Sequence, residues 1–196
     1  MKHLKMLGLL VMAATSLMAF ASSASATAIL TSPAGTAYTG EIHATLEKGT
    51  SAVLEAGIKD TCTESTVSGT IETNNTEHAA GPISVLTFGT PEAGTPCSQD
   101  TVVKTAGRLT IDDTGTVFTE GSRVEVKVTS LGITCFYGAE TGKVDIGKLT
   151  GGTPATMDIT ATELQRETGS NTTFCASKGV WTGSYTVTKP TTLLIT

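Results

Sequence analysis

Cysteine is the residue type whose number and spacing most constrain the chemistry of this chain. The four cysteines are Cys62, Cys97, Cys135 and Cys175, and they form neither a CxxC motif nor a cysteine–histidine pattern typical of zinc sites. Four cysteines allow three pairings. We favour the pairing of sequence neighbours, Cys62 with Cys97 and Cys135 with Cys175, because each bridge then stays among neighbouring hairpins. Each bridge would stabilise the fold by ~3–4 kcal/mol.

The residues that could act in catalysis do not form a recognisable set. His43 and His78 are the histidines that follow the first 26 residues; the first is placed on the polar face of a predicted strand and the second in a predicted loop. Ser184 has no accompanying base, and the chain has no GxSxG motif. We therefore predict no catalytic residue, no bound cofactor and no enzymatic activity, with a hydrolase of unrecognised site as a further alternative.

Two other motifs have a structural and a functional interpretation. The segment from Asp112 to Gly115 offers carboxylates to Ca²⁺ but lacks the DxDxDG pattern, so we predict a turn and no metal site. Trp181, the single tryptophan, is interpreted as a core residue beside the Cys175 bridge; the alternative is an exposed aromatic platform. Asn74 and Asn171 match the N-glycosylation pattern. In a chain this rich in threonine, such matches are expected by chance.

The amino terminus has the three parts of an export signal. Lys2 and Lys5 precede an uncharged, mostly apolar run over residues 7–20, and residues 24–26 read Ala-Ser-Ala. The run is short for a membrane span of ~20 residues. We predict a cleavable signal peptide over residues 1–26 and one mature domain over residues 27–196, secreted, periplasmic or on the cell surface of a bacterium, with no integral membrane segment after processing.

Composition indicates a β protein with an acidic surface. The formal net charge is −5, and loss of the leader lysines makes it more negative, which argues against nucleic acid as a partner. The chain has 39 threonines, and this β-branched residue suits a pleated strand with one wet face.

Apolar residues alternate with polar ones along most of the mature chain, the pattern of half-buried strands. We predict a single-domain antiparallel β-sandwich, or alternatively a flattened barrel, with about ten short strands. Residues 160–168 alone show any helical character, and it is too weak to predict a helix there. The strands are predicted at residues 38–46, 51–59, 67–71, 83–88, 108–111, 123–129, 133–137, 143–149, 155–161, 180–188 and 192–195.

Two stretches carry a family resemblance. One comprises residues 32–40, Cys62 and residues 67–71; the other comprises residues 135–138 with residues 174–175 and 181–190. Together they resemble small exported bacterial β proteins of uncharacterised function, and the first is also similar to the secreted activators of alkane oxidation. The resemblance implies a β fold and brings no functional residue with it.

These observations favour a secreted structural or extracellular-matrix protein. The terminal strand at residues 192–195 could pair with the sheet edge of a neighbouring copy and so allow self-association. The alternative is a binding module for an apolar small molecule or polymer.

Overall fold

The computed structural model describes residues 28–89 and 97–196. The predicted signal peptide and most of the predicted loop at residues 89–96 lie outside the described residues. Within them the chain forms strands and one 3-10 turn, at Thr129–Leu131. The strands are β1 (Leu30–Thr31), β2 (Gly40–Leu46), β3 (Ala52–Glu55), β4 (Lys59–Cys62), β5 (Ser65–Ile71), β6 (Thr73–Asn74), β7 (His78–Phe88), β8 (Asp100–Thr105), β9 (Arg108–Asp112), β10 (Thr116–Glu120), β11 (Arg123–Val128), β12 (Ile133–Gly138), β13 (Val144–Thr150), β14 (Thr156–Arg166), β15 (Lys178–Lys189) and β16 (Leu194–Ile195).

Eight of these strands close into an antiparallel barrel. Their order around the barrel is β2, β5, β7, β9, β10, β13, β14 and β15, and β15 pairs again with β2. Neighbours in the barrel follow one another along the chain, so the barrel is a meander interrupted by insertions. The predicted sandwich is therefore wrong, and the alternative of a barrel fits.

Local departures from regular pairing let the sheet curve and close. The register shifts between β10 and β13, between β14 and β15, and between β15 and β2, and such bulges bend a strand and increase its twist. Gly81 lies where two strands approach closely, since a Cβ there would fall 1.7 Å from the carbonyl oxygen of Thr70.

Pro82 marks the point at which β7 changes its pairing. The residues up to Pro82 pair with β9, and the residues from Ile83 onward pair with β5. Proline has no N–H to donate, and its position at this change avoids the loss of a ladder hydrogen bond. One long strand thereby serves two neighbours.

All the larger insertions leave the barrel at the same end. Strands β3 and β4 follow the end of β2, β8 follows the end of β7, and β11 and β12 follow the end of β10. They add to the projecting halves of β14 and β15, with β3 on β15 and β12 on β14. We call the set β3, β4, β8, β11 and β12 the cap.

The cap closes on itself through a disulfide. Cys62, at the end of β4, pairs with Cys97 in an isolated bridge, and the Ser98 N–H donates to the carbonyl oxygen of Thr61 over 2.9 Å. Strands β4, β3, β15, β14, β12, β11 and β8 consequently form a second ring above the barrel. The cap encloses the space over the barrel mouth.

The opposite end of the barrel is covered by the first and last strands. β1 pairs with β16. Leu30 of β1 is buried, as are Ile29 just before β1 and Leu193 just before β16. The Asn74 side chain accepts from the Leu30 N–H and donates to the Leu30 carbonyl, which fixes this segment. The strand predicted to reach a neighbouring copy, at residues 192–195, is thus paired within the chain on one edge. We call this end the floor.

The second disulfide joins Cys135 of β12 to Cys175, in the loop before β15. Cys62–Cys97 and Cys135–Cys175 are the pairing that the sequence favours. Residues 160–168, where the sequence has weak helical character, form no helix, because β14 continues as a strand to Arg166. Within residues 28–89 and 97–196, no helix has the length and apolar character needed to cross a bilayer.

Candidate functional site

The barrel interior contains two adjoining cavities. The cavity at the cap end has a volume of about 60 Å³, and the one toward the floor about 50 Å³. Each is several times the ~10–15 Å³ that accommodates one water molecule. Four side chains line both cavities and so stand between them: Val67, Ile83, Leu109 and Met157.

The floor-side cavity is lined mainly by the barrel strands. All eight barrel strands contribute to its lining, which includes Ile42, Ile111, Leu149 and Val187. Leu193, which follows β15, also lines it at the floor. The lining is almost entirely apolar, so water is held poorly and an apolar guest is favoured.

The cap-end cavity lies between the barrel mouth and the cap. Barrel residues such as Phe88 and Ile146 line it together with Leu54 of β3 and Val124 of β11. The described residues of its lining include no lysine, arginine or histidine. This cavity therefore offers apolar surface and no positive charge.

Asp60 is the charged residue in that lining, and its hydrogen bonds are used within the protein. One carboxylate oxygen accepts from the Ser98 hydroxyl at 3.0 Å and from the Gln99 N–H at 2.9 Å. The other accepts from the Thr101 hydroxyl. Asp60 is 2% exposed, and its role is to join β4 to the start of β8.

The sulfurs of Cys62 and Cys97 lie close enough to Asp60 to suggest a metal site. Both sulfurs are bonded to each other, with an S–S distance of 2.07 Å. A disulfide sulfur carries no thiolate to bind a metal ion. The group is therefore part of the closure of the cap.

An aromatic row runs along β15 at the cap-end cavity. The Trp181 ring meets Phe88 edge-on at 5.7 Å between centroids and Tyr185 at 6.4 Å. The Tyr185 hydroxyl donates to Ser65 Oγ at 3.0 Å, and burial raises the pKa of this phenol to about 12. Tyr185 thus stays neutral over the whole physiological range and contacts Trp181, which lines the cavity together with Phe88.

Two buried polar atoms of this lining lack hydrogen-bond partners among the described residues: Thr119 Oγ1 and Trp181 Nε1. Thr119 is 4% exposed and lies on β10, where its cross-strand neighbours are Leu109 and Val144. A buried polar group without a partner costs about 1–3 kcal/mol. Buried polar groups without partners are rare in folded proteins, and those that occur are often at functional sites.

Trp181 corresponds to neither sequence interpretation in full. It packs against the core and contacts Phe88 and Tyr185, so it is not an exposed platform. It also lines a cavity. The predicted alternation, which places Trp181 and Tyr185 on one face, agrees with their ring contact.

His43, predicted on the polar face of a strand, has two hydrogen-bond partners on the outer face of the barrel. His43 Nδ1 lies 2.8 Å from Ser68 Oγ, and Nε2 lies 2.8 Å from Glu41 Oε1. Glu41 also accepts from Lys189 at 2.7 Å. The order serine–histidine–carboxylate is that of a nucleophilic triad.

The surroundings of Ser68 do not suit a nucleophile. Ser68 is 3% exposed, and it lines neither of the two cavities described above. Nucleophilic attack on an acyl group needs space for the substrate beside the serine hydroxyl and hydrogen-bond donors for the oxyanion that forms. The cluster instead ties β2, β5 and β15 together across the seam where the barrel closes.

The remaining sequence candidates are structural. Asp112 accepts from the N–H groups of Thr114 and Thr116, which forms the predicted turn between β9 and β10. His78 begins β7, where a loop was predicted. The Asn74 amide is held by the floor segment, and Asn171 Oδ1 accepts from the Thr173 N–H.

Thr119 was missed at the sequence level, as was its strand β10. The segment from Thr116 to Glu120 alternates, with Val117 and Thr119 turned inward. In a chain with 39 threonines, an inward threonine is not distinguishable from an outward one. Closure of the barrel is what assigns Thr119 to the cavity.

Comparison with known proteins gives no match to a family model, to a curated protein or to a solved structure. The resemblance to exported bacterial proteins and to the activators of alkane oxidation stays a prediction. The two disulfides are consistent with an oxidising extracellular or periplasmic environment.

Proposed function

We propose that this protein is a non-enzymatic binding module that holds a small apolar molecule inside its barrel. The observation that carries the proposal is the pair of adjoining apolar cavities along the barrel interior, the first covered by the cap. Eight-stranded barrels have an interior of the size that holds one small ligand.

Comparison of the two expected functions favours binding. A structural role through sheet edges needs unpaired strand edges, and closure leaves each barrel strand paired on both sides. Within the described chain, the terminal strand β16 keeps one free edge, but it is two residues long. Side chains could fill the interior of a barrel this small. In this barrel, however, a cavity remains on each side of Met157. Export, retained from the sequence as a prediction, would place the binder in the medium or the periplasm.

The test uses small apolar probes and residue-specific detection. Protein with ¹³C-labelled methyl groups is titrated with benzene and with n-hexane, and methyl spectra are recorded. We expect shifts at Ile146 and Ile159, which line the cap-end cavity, and none at Leu131, which is 67% exposed. An absence of cavity-methyl shifts with both probes would refute the proposal.

A pair of variants separates binding inside the barrel from binding on the surface. Ile146→Phe fills the cap-end cavity and should weaken probe binding at least tenfold. Leu131→Phe makes the same kind of enlargement at an exposed site and should leave binding unchanged. Equal binding by both variants would place the probe elsewhere.

A further inference from the structure

We propose that the cap-end cavity selects a neutral molecule that carries an oxygen acceptor, bound by Trp181 Nε1 and Thr119 Oγ1. This inference rests on the proposed function, since it assigns the ligand class of the same cavity. It goes beyond that function because a purely apolar ligand would leave both groups without partners.

The donor chemistry of Trp181 defines what the ligand must offer. An indole N–H donates and never accepts, and this one has almost no accessible surface and no partner among the described residues. A ligand oxygen therefore reaches it, as it reaches Thr119 Oγ1, when the surrounding side chains shift slightly to admit the ligand. Only an acceptor atom satisfies it. Carbonyl, ester, ether and hydroxyl oxygens all qualify.

Thr119 supplies a second group on another wall of the same cavity. In the barrel β10 and β15 are separated by β13 and β14, so the two residues face the cavity from different sides. The threonine hydroxyl both donates and accepts. A ligand oxygen, or a second polar atom on a compact ligand, completes it.

The charges around the cavity exclude anionic ligands such as carboxylates. Among the lining residues that the structure describes there is no cationic side chain, and the one charged residue is the buried Asp60, whose carboxylate is fully engaged. A second carboxylate beside it would be repelled and would lose its hydration without compensation. The ligand is therefore neutral, an aldehyde, ketone, ester or alcohol in place of a fatty acid.

The experiment compares three ring compounds of similar shape: cyclohexanone, methylenecyclohexane and cyclohexanecarboxylate. The first two differ by a carbonyl oxygen against a CH₂ group, and the third tests charge. Trp181 is the single tryptophan, so a ¹H–¹⁵N spectrum shows one indole N–H signal. Methyl shifts at Ile146 and Ile159 report cavity occupancy independently.

We expect cyclohexanone to bind at least tenfold more tightly than methylenecyclohexane and to move the indole signal downfield, because a site built for a hydrogen bond discriminates against the analogue without it. Cyclohexanecarboxylate should not bind at pH 7. Thr119→Val keeps the shape and removes the hydroxyl, so it should lower the affinity for the ketone about fivefold or more. Its affinity for the alkene should not change, and the free protein should melt at a higher temperature.

The outcomes separate the two proposals. Equal binding of ketone and alkene at the cavity methyls would overturn this inference and leave the binding function intact. A result in which cyclohexanone shifts the cavity methyl signals and leaves the indole N–H signal in place would also overturn this inference. The N–H would then have another partner such as water. If none of the probes reaches the cavity, the binding function itself is refuted.

Discussion

At the scale of single residues, Glu125 shows how a charge is accommodated within the cap. The strand predicted at residues 123–129, where valines alternate with polar residues, is observed as β11, and Val126 and Val128 are buried. Glu125 is nevertheless 4% exposed, because β8 and β12 flank it on both sides. Lys104 at 2.5 Å and Lys127 at 2.7 Å neutralise it.

The ion pairs of Glu125 give a prediction on pH dependence. The hydrogen bond from Lys104, followed by that from Lys127, lowers the pKa of Glu125 below its usual range despite burial. A carboxyl with a lowered pKa in the folded state contributes stability above its unfolded pKa of ~4.3 and loses it as pH falls through the folded value. Glu125→Gln should therefore flatten the fall in unfolding free energy below pH ~5, measured by urea denaturation.

The control for that measurement is Glu77→Gln, which removes an exposed carboxyl at the turn before β7. It should retain the acid dependence of the parent protein. A Glu125→Gln variant with the parental acid dependence would show that the two lysines do not hold this carboxylate.

At the scale of elements, the sequence predicted most strands and missed how they connect. The strands predicted at residues 108–111, 133–137 and 180–188 each lie within two residues of an observed strand, because alternation directly reports a half-buried pleat. The short strands β4, β6 and β8 were not predicted as separate strands, because segments of two to six residues show too little periodicity to be recognised. The weak helical character of residues 160–168 has no effect on the structure, because strand pairing on both sides decides the state of β14.

A glycine in β7 tests whether close strand approach allows the barrel to curve. Gly81 has an ordinary backbone conformation, but an added Cβ would meet the Thr70 carbonyl. Gly81→Ala should cost about 3 kcal/mol or more, at the upper end of what overpacking costs. Thermal and urea denaturation measure this loss.

Gly49→Ala is the matched control. Gly49 has φ of +83° with nothing within 4 Å of an added Cβ, so it isolates the cost of a left-handed backbone, ~1–2 kcal/mol. A loss at Gly81 no larger than the loss at Gly49 would show that β5 and β7 separate easily.

At the scale of the whole molecule, the closure of the sheet is what sequence patterns could not supply. Sandwiches and barrels share the same alternation, so the choice depends on whether the last long strand returns to the first. That return is made by β15, whose residues from Tyr185 onward pair with β2. The candidate site follows from closure too, since the residues lining the cap-end cavity are spread from Ala52 to Trp181.

The two disulfides should have equal effects on stability and different effects on the cavity. Their sequence separations of 35 and 40 residues are similar, so replacing either pair by alanine should cost ~3–4 kcal/mol. Only the Cys62–Cys97 bridge closes the cap ring, and only Cys62 lines the cavity. We expect faster ligand exchange, measured by NMR line shape, in the Cys62/Cys97 variant alone.

The Cys135/Cys175 double variant serves as the control for that comparison. Equal ligand exchange rates in the two double variants, at matched stability, would mean that the cap ring does not control access to the cavity.

The pairing of β2 with β15 also fixes the order in which this protein can be assembled. Glu41 and Lys189, which form an ion pair across that seam, are 148 residues apart in the chain. Contacts of such long separation form late, after the intervening loops have closed. If the chain is exported as predicted, it crosses the membrane before its barrel can close. Until β15 arrives, the growing sheet has open edges and an uncovered apolar face, which makes this interval the time of greatest risk of aggregation and of greatest need for a chaperone.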